Sequence, residues 1–242
     1  ENRIRGALRE AFGTEVMEAG PPVYGLHFFT PDAPRAPLAD LPAVPRRAVI
    51  LVHGFDDPGW SWMNLLTALH ARGYAVARFE YPNDGPIEQA TDRLGNELTA
   101  LRNAGVLEVD IVGHSMGGLV GRDLLTRDTW YGGDASGDDR LPAVRRFIMI
   151  GTPNHGSHMA HLAPLSETKD RLVRWLLGDD DLGGRADDGR GEAATQILPG
   201  SAFLKELNSR PLPRNVQTTI IAGRMVAPDS TLQPWIRQLR EG

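Results

Sequence analysis

Strands and helices alternate along this 242-residue chain in a pattern that predicts an α/β fold, a mostly parallel sheet with helices on both faces. Three observations carry that expectation. Ala48 to Val52 is an unbroken apolar run, as in a strand covered on both sides. Ile87, Ala90, Leu94, Leu98 and Leu101 recur at helical spacing directly after a strand-like segment. The cycle of strand, helix and strand then repeats at short intervals, which calls for right-handed crossovers.

The elements follow in order. Residues 2–11 read as a helix with Ile4, Leu8 and Phe12 on one stripe, and Val23 to Phe29 as a strand. Prolines 31, 34, 37, 42 and 45 then make a surface connector, because proline lacks the N–H that a strand or helix needs. After Ala48–Val52 and His53-Gly54-Phe55, Asp57 is expected to cap a helix with Pro58 in its first turn. Leu65, Leu66 and Leu69 supply that helix with a buried stripe, and Gly73 closes it. Tyr74 to Tyr81 is the next strand, and Gly105 caps the helix that begins near Ile87. Leu107 to Val112 is a further strand, and an apolar, small-residue helix opens at Gly117. A polar loop over 131–139 leads to a strand from Val144 to Ile150.

Residues 157–215 break this rhythm and read as an insertion over the sheet. It is expected to hold short helices at Leu172–Leu177 and Ala202–Leu207 and an acidic glycine loop over 178–184. Thr218 to Ala222 is the last strand, followed by an amphipathic helix through Trp235, Ile236 and Leu239.

Composition narrows the class of function. Apolar residues make up 41% and charged residues 24%, ordinary values for one large globular domain. The net charge of -5, with no basic stripe, argues against a nucleic-acid partner. No apolar window is long enough to span a membrane. The start, Glu1-Asn2-Arg3-Ile4-Arg5, does not read as a signal peptide; a soluble protein, cytoplasmic or secreted after leader removal, is expected. With no cysteine, thiolate catalysis, thiolate metal sites and disulfides are excluded.

Chemistry concentrates at Gly113-His114-Ser115-Met116-Gly117, set between a strand and a helix. In that setting a Gly-x-Ser-x-Gly segment describes a nucleophile elbow, a turn so tight that the serine is pushed out in a strained conformation. It leaves the Met116 N–H at a positive helix terminus. A serine hydroxyl also needs a base and a group to hold the oxyanion. The backbone N–H groups of Met116 and Phe55, the latter just past His53-Gly54, are the oxyanion-hole candidates.

Val49-Ile50-Leu51-Val52-His53-Gly54-Phe55, Val112 to Gly118 and Ile150-Gly151-Thr152-Pro153-Asn154-His155-Gly156-Ser157 resemble three signature segments of α/β-hydrolase lipases and esterases. The likeness is to the bacterial triacylglycerol-lipase branch and its inositol-deacylase-like relatives, and runs from about residue 47 to residue 223. Leu198-Pro199-Gly200-Ser201-Ala202-Phe203-Leu204 resembles a recurrent cap segment of that branch. The resemblance implies a single α/β-hydrolase domain over 1–242 with a cap or lid within 157–215. It implies Ser115 as nucleophile, Phe55 and Met116 as oxyanion hole, no cofactor and no metal. The expected activity is hydrolysis of a carboxylic ester, from a small-molecule ester or lipid with an apolar acyl chain, through an acyl-serine intermediate. Acyl transfer to another alcohol would use the same parts.

One departure stands out. In this fold the triad runs serine, acid, histidine along the chain. The histidines here are 27, 53, 70, 114, 155, 158 and 161, and the acids after the last strand are Asp229 and Glu241. Three readings stay open. The working protein continues past Gly242, so that 1–242 lacks its C-terminal part; His155 or His158 serves as base; or the chain is a non-catalytic relative that only binds.

Other features have plainer readings. His155, His158 and His161 match no compact zinc spacing, and hydrogen-bonding loop histidines are expected. Asp179-Asp180-Asp181 with Asp187-Asp188 lacks the periodicity of a calcium loop. Trp60, Trp62 and Met63 fit helix packing at least as well as an acyl pocket.

Overall fold

The computed structural model of the chain describes residues 24–33, 35–55, 62–82, 85–131, 140–157 and 192–223. Its strands are β1 (Gly25–Phe28), β2 (Arg47–Val52), β3 (Ala75–Glu80), β4 (Glu108–His114), β5 (Ala143–Ile150) and β6 (Gln217–Ile221). They form one sheet in the order β1-β3-β2-β4-β5-β6. Only β1 runs antiparallel to its neighbour, β3; the other pairings are parallel. The chain steps from β2 outward to β3, then returns across β2 to β4. Connections therefore leave the carboxyl ends of β2 and β4 in opposite directions, and a crevice opens there. His53 and Ser115 follow those two strand ends.

Five α-helices are described: α1 (Met63–His70), α2 (Ile87–Ala104), α3 (Met116–Thr126), α4 (Glu192–Ile197) and α5 (Ala202–Ser209). Alternate residues of a strand face opposite sides, so β2 divides between two cores. Ala48, Ile50 and Val52 join the larger one with Leu94 and Leu98 of α2 and Leu119 and Leu124 of α3. Val49 and Leu51 join the smaller one with Trp62 and Leu66, beside α1. Helices thus cover both faces, as the apolar run at 48–52 predicts. Leu98 is fully buried, so Leu98→Ala is expected to cost about 2–5 kcal/mol, read as a lower urea midpoint at unchanged m-value.

Helix ends show which signals were local. Gly105 adopts φ 108°, and its N–H bonds back to the carbonyls of Arg102 and Leu101, closing α2 as its sequence predicts. The start of α2 is capped from a distance. The Ile87 N–H donates to Gln196 Oε1 of α4 (2.8 Å), while Gln196 Nε2 donates to Glu88 Oε2 (2.6 Å). No periodicity in the sequence marks α4, a helix of six residues. At α5, Ser201 is the N-cap, accepting from the Leu204 N–H at 3.2 Å, and the helix runs two residues past the expected Leu207.

Part of the 157–215 segment is built into the main core: Ala193, Ile197, Phe203, Leu204 and Leu207 all pack there. Of the loop expected over 131–139 only Tyr131 is described, and it lies in a turn. Tyr131 is buried, and its hydroxyl accepts the Val144 N–H at 3.2 Å. The expected helices at 2–11 and 172–177, the Asp57 cap, the acidic loop and the helix after Thr231 lie outside the described residues. Among the described residues no helix is long and apolar enough to cross a membrane.

Candidate active site

β4 ends at His114 and α3 begins at Met116, which leaves one residue for the turn between them. That residue, Ser115, has φ 50° and ψ -122°, and it alone among the described non-glycine residues has positive φ. Such a backbone costs about 1–3 kcal/mol and persists only where its surroundings impose it. Here the surroundings are backbone. The Ser115 N–H donates to the Ile150 carbonyl (2.9 Å), and the Ser115 carbonyl accepts from the Gly118 N–H (3.1 Å). A Cβ at Gly117 would overlap the Val52 carbonyl oxygen and stand 2.5 Å from that of His53. A Cβ at Gly118 would overlap Thr152 Oγ1. The glycines let α3 start directly against the ends of β2 and β5, and this close approach fixes the turn.

The same requirement operates at Gly54, where a Cβ would lie 2.9 Å from Ser115 Cβ and 3.2 Å from the His114 carbonyl oxygen. Gly54 therefore lets the chain leaving β2 pass against Ser115. Phe55, next in line, is partly buried on the main core. Met116 is the first residue of an eleven-residue helix, so its N–H has no acceptor within the helix. The fold thus brings Ser115, Met116 and the Gly54-Phe55 peptide into one neighbourhood at the switch point. Ser115 is half-buried.

His53 is buried and faces away from solvent. Its ring stacks on Tyr81 with centroids 4.3 Å apart, and its Nδ1 lies 2.9 Å from the Gly54 carbonyl oxygen. The Tyr81 hydroxyl donates to the His53 carbonyl at 2.7 Å. The sequence marks Tyr81 only as the end of a strand. The one signal for it was position, since β3 runs parallel beside β2 and ends at the same edge.

The third segment, from Gly151 to Gly156, is tied to the elbow helix by Arg122. Its Nη1 donates to Asn154 Oδ1 (3.0 Å) and to Asn208 Oδ1 (2.7 Å), and its Nη2 donates to the Leu207 carbonyl (3.3 Å). Burial, with Arg210 nearby, holds the Arg122 pKa below the usual arginine value. No local motif marks Arg122, whose partners lie 32 and 86 residues away. His155 is exposed and borders an open groove of about 450 Å³ with Leu204, Lys205 and Asn208. Ser115 does not line that groove.

Trp62 and Met63 pack in the smaller core, with the Trp62 ring edge-on to His114 at 6.2 Å. Trp60, His158 and His161 lie outside the described residues. Among the described residues, no three His, Asp or Glu side chains gather as metal ligands.

A mostly parallel sheet with helices on both faces, and a strand-serine-helix turn at its switch point, is the architecture of the α/β hydrolases. The chain belongs to the Alpha/beta hydrolase family, whose model matches residues 49–241. Its fold is similar to the mature form of lipase BlEst2 from Bacillus licheniformis, at 19% identity and a TM-score of 0.57, over 92% of this chain and 81% of that one. The propeptide form of the same lipase matches at 17% identity and a TM-score of 0.56, over 87% of this chain and 41% of that one. At these identities the likeness is one of fold. Comparison with curated proteins returns no match.

Proposed function

We propose that this protein is a serine hydrolase of carboxylic esters, of the bacterial lipase and esterase type, with Ser115 as nucleophile. The observation that carries this reading is the strained turn at Ser115, pressed against Gly54. A conformation that costs stability, at a turn where Gly54, Gly117 and Gly118 allow neighbouring segments to pack closely, is what presentation of a nucleophile requires. The fold likeness to the lipase BlEst2 supports the substrate class.

Ser115 Oγ attacks the ester carbonyl carbon and gives up its proton to a general base. The carbonyl oxygen becomes an oxyanion held by the Phe55 and Met116 N–H groups. Collapse breaks the bond to the alcohol, which leaves protonated, and water then cleaves the acyl-serine. The substrate is a small-molecule ester or lipid with an apolar acyl chain, and no cofactor takes part. The segment 157–215 forms the cap over the acyl site, anchored through α4 and α5.

A fluorophosphonate probe tests the assignment. One adduct per chain is expected on the peptide carrying Ser115, together with p-nitrophenyl ester hydrolysis, and both should vanish in Ser115→Ala. If the folded protein neither labels nor turns over esters, the catalytic reading falls and a binding role replaces it. Equal turnover in Ser115→Ala would remove Ser115 from the mechanism.

A further inference from the structure

We infer that Tyr81 is a positioning residue for the oxyanion hole: through His53 it sets the direction of the Phe55 N–H. The inference rests on the serine-hydrolase reading above and deepens it. Phe55 shares a peptide plane with the Gly54 carbonyl, and the Gly54 N–H shares one with the His53 carbonyl. Each of these two carbonyls has its own anchor. The Tyr81 hydroxyl donates to the His53 carbonyl at 2.7 Å. The His53 Nδ1 sits 2.9 Å from the Gly54 carbonyl, and since a carbonyl only accepts, this contact requires the tautomer with a proton on Nδ1. Fixing that carbonyl aims the N–H at the other end of the same plane, because the peptide unit is rigid.

The Tyr81 ring does the second half of the work. It stacks on the His53 imidazole at 4.3 Å with planes 22° apart, and Phe79 stacks on it at 5.0 Å. Tyr81 and His53 are 3% and 4% exposed, so neither contact competes with water. The His53 carbonyl also lies close to Gly117, where a Cβ would stand 2.5 Å from it. One tyrosine at the end of β3 thus holds the exit of β2, where donor direction matters most. An oxyanion donor works only if it already points where charge develops.

Tyr81→Phe removes the hydroxyl and keeps both ring stacks. The matched control is Thr91→Val, which removes another fully buried hydroxyl, one that donates to the Ile87 carbonyl within α2 (3.1 Å). Three quantities are read on the full chain: kcat and KM for a p-nitrophenyl ester, the melting temperature, and amide hydrogen exchange at residues 53–55. For Tyr81→Phe, kcat is expected to fall about tenfold at nearly constant KM, with faster exchange at 53–55. Thr91→Val should lose similar stability and keep wild-type kcat. Unchanged kcat in a folded Tyr81→Phe protein overturns the inference, whatever exchange shows, and so does an equal loss of kcat in both variants. Slow exchange retained at 53–55 overturns the positioning claim even if the wild type proves inactive. An inactive, unlabelled wild type with faster exchange in Tyr81→Phe keeps the anchor but overturns both its oxyanion role and the serine reading.

Discussion

Ser115→Gly is expected to silence ester turnover and to make the protein more stable. With Ser115 as the nucleophile proposed above, its loss should lower kcat by roughly 10⁶-fold, the scale seen when a serine nucleophile is deleted. Stability moves the other way. Ser115 sits at φ 50°, ψ -122°, a region that costs an L-residue about 1–3 kcal/mol and glycine much less. Glycine's extra freedom in the unfolded chain returns about 0.5–1 kcal/mol of that. The net gain is about 1 kcal/mol, or a rise of about 2–4 °C in melting temperature for a chain of this size. Ser115→Ala separates the two effects: it loses the hydroxyl but keeps a Cβ in the strained turn, so its turnover should vanish without the gain. Equal melting temperatures for the two variants would show that the turn stores no strain.

The second large effect is expected at Asp123, a carboxylate on α3 that is 1% exposed. It pairs with Arg127 one turn on, and its other oxygen accepts from Arg210 Nη2 at 2.6 Å. Asp123→Asn keeps the shape but leaves two guanidinium groups facing a neutral amide. Removing one partner of a buried ion pair costs about 3–5 kcal/mol. The lower end applies here, because both arginines are 20% exposed and Arg127 also reaches Asp92 at 2.9 Å. Arg145→Ala, at a pair with Glu108 that is nearly half exposed on both sides, is the contrast and should change stability by less than about 1 kcal/mol. Urea midpoints for the two variants check the difference, and similar values would sink the argument. Because Arg210 follows α5, the Asp123 variant should also loosen α4 and α5 from the elbow helix, seen as faster hydrogen exchange over 192–209.

Much of the sheet was legible because its signals are local. The apolar run at 48–52 marked a strand buried on both faces, and β2 does divide its residues between two cores. The spacing from Ile87 to Leu101 and the glycine at 105 marked α2 and its end. The position of the turn was legible for the same reason: Gly113, Ser115 and Gly117 stand within five residues at a strand end. What stayed hidden depends on partners far along the chain. The cap of α2 comes from Gln196, more than a hundred residues away, and α4 itself is a six-residue helix with too few turns to show a period. Tyr131 looked like the start of a polar loop because nothing nearby shows that its hydroxyl meets the Val144 N–H.

By itself the sequence determined the alternation of strand and helix, the exclusion of thiol chemistry and the placing of a serine between two glycines at a strand end. Those properties follow from residue type and from spacing within a few turns of chain. Only the tertiary structure decided how close that serine comes to Gly54, which carbonyls Tyr81 and His53 hold, and which arginines neutralise Asp123. Each of these is a distance between segments that the chain separates and the sheet order rejoins. The strain at Ser115 belongs to both: the glycines permit the turn, and the packed ends of β2 and β5 enforce it.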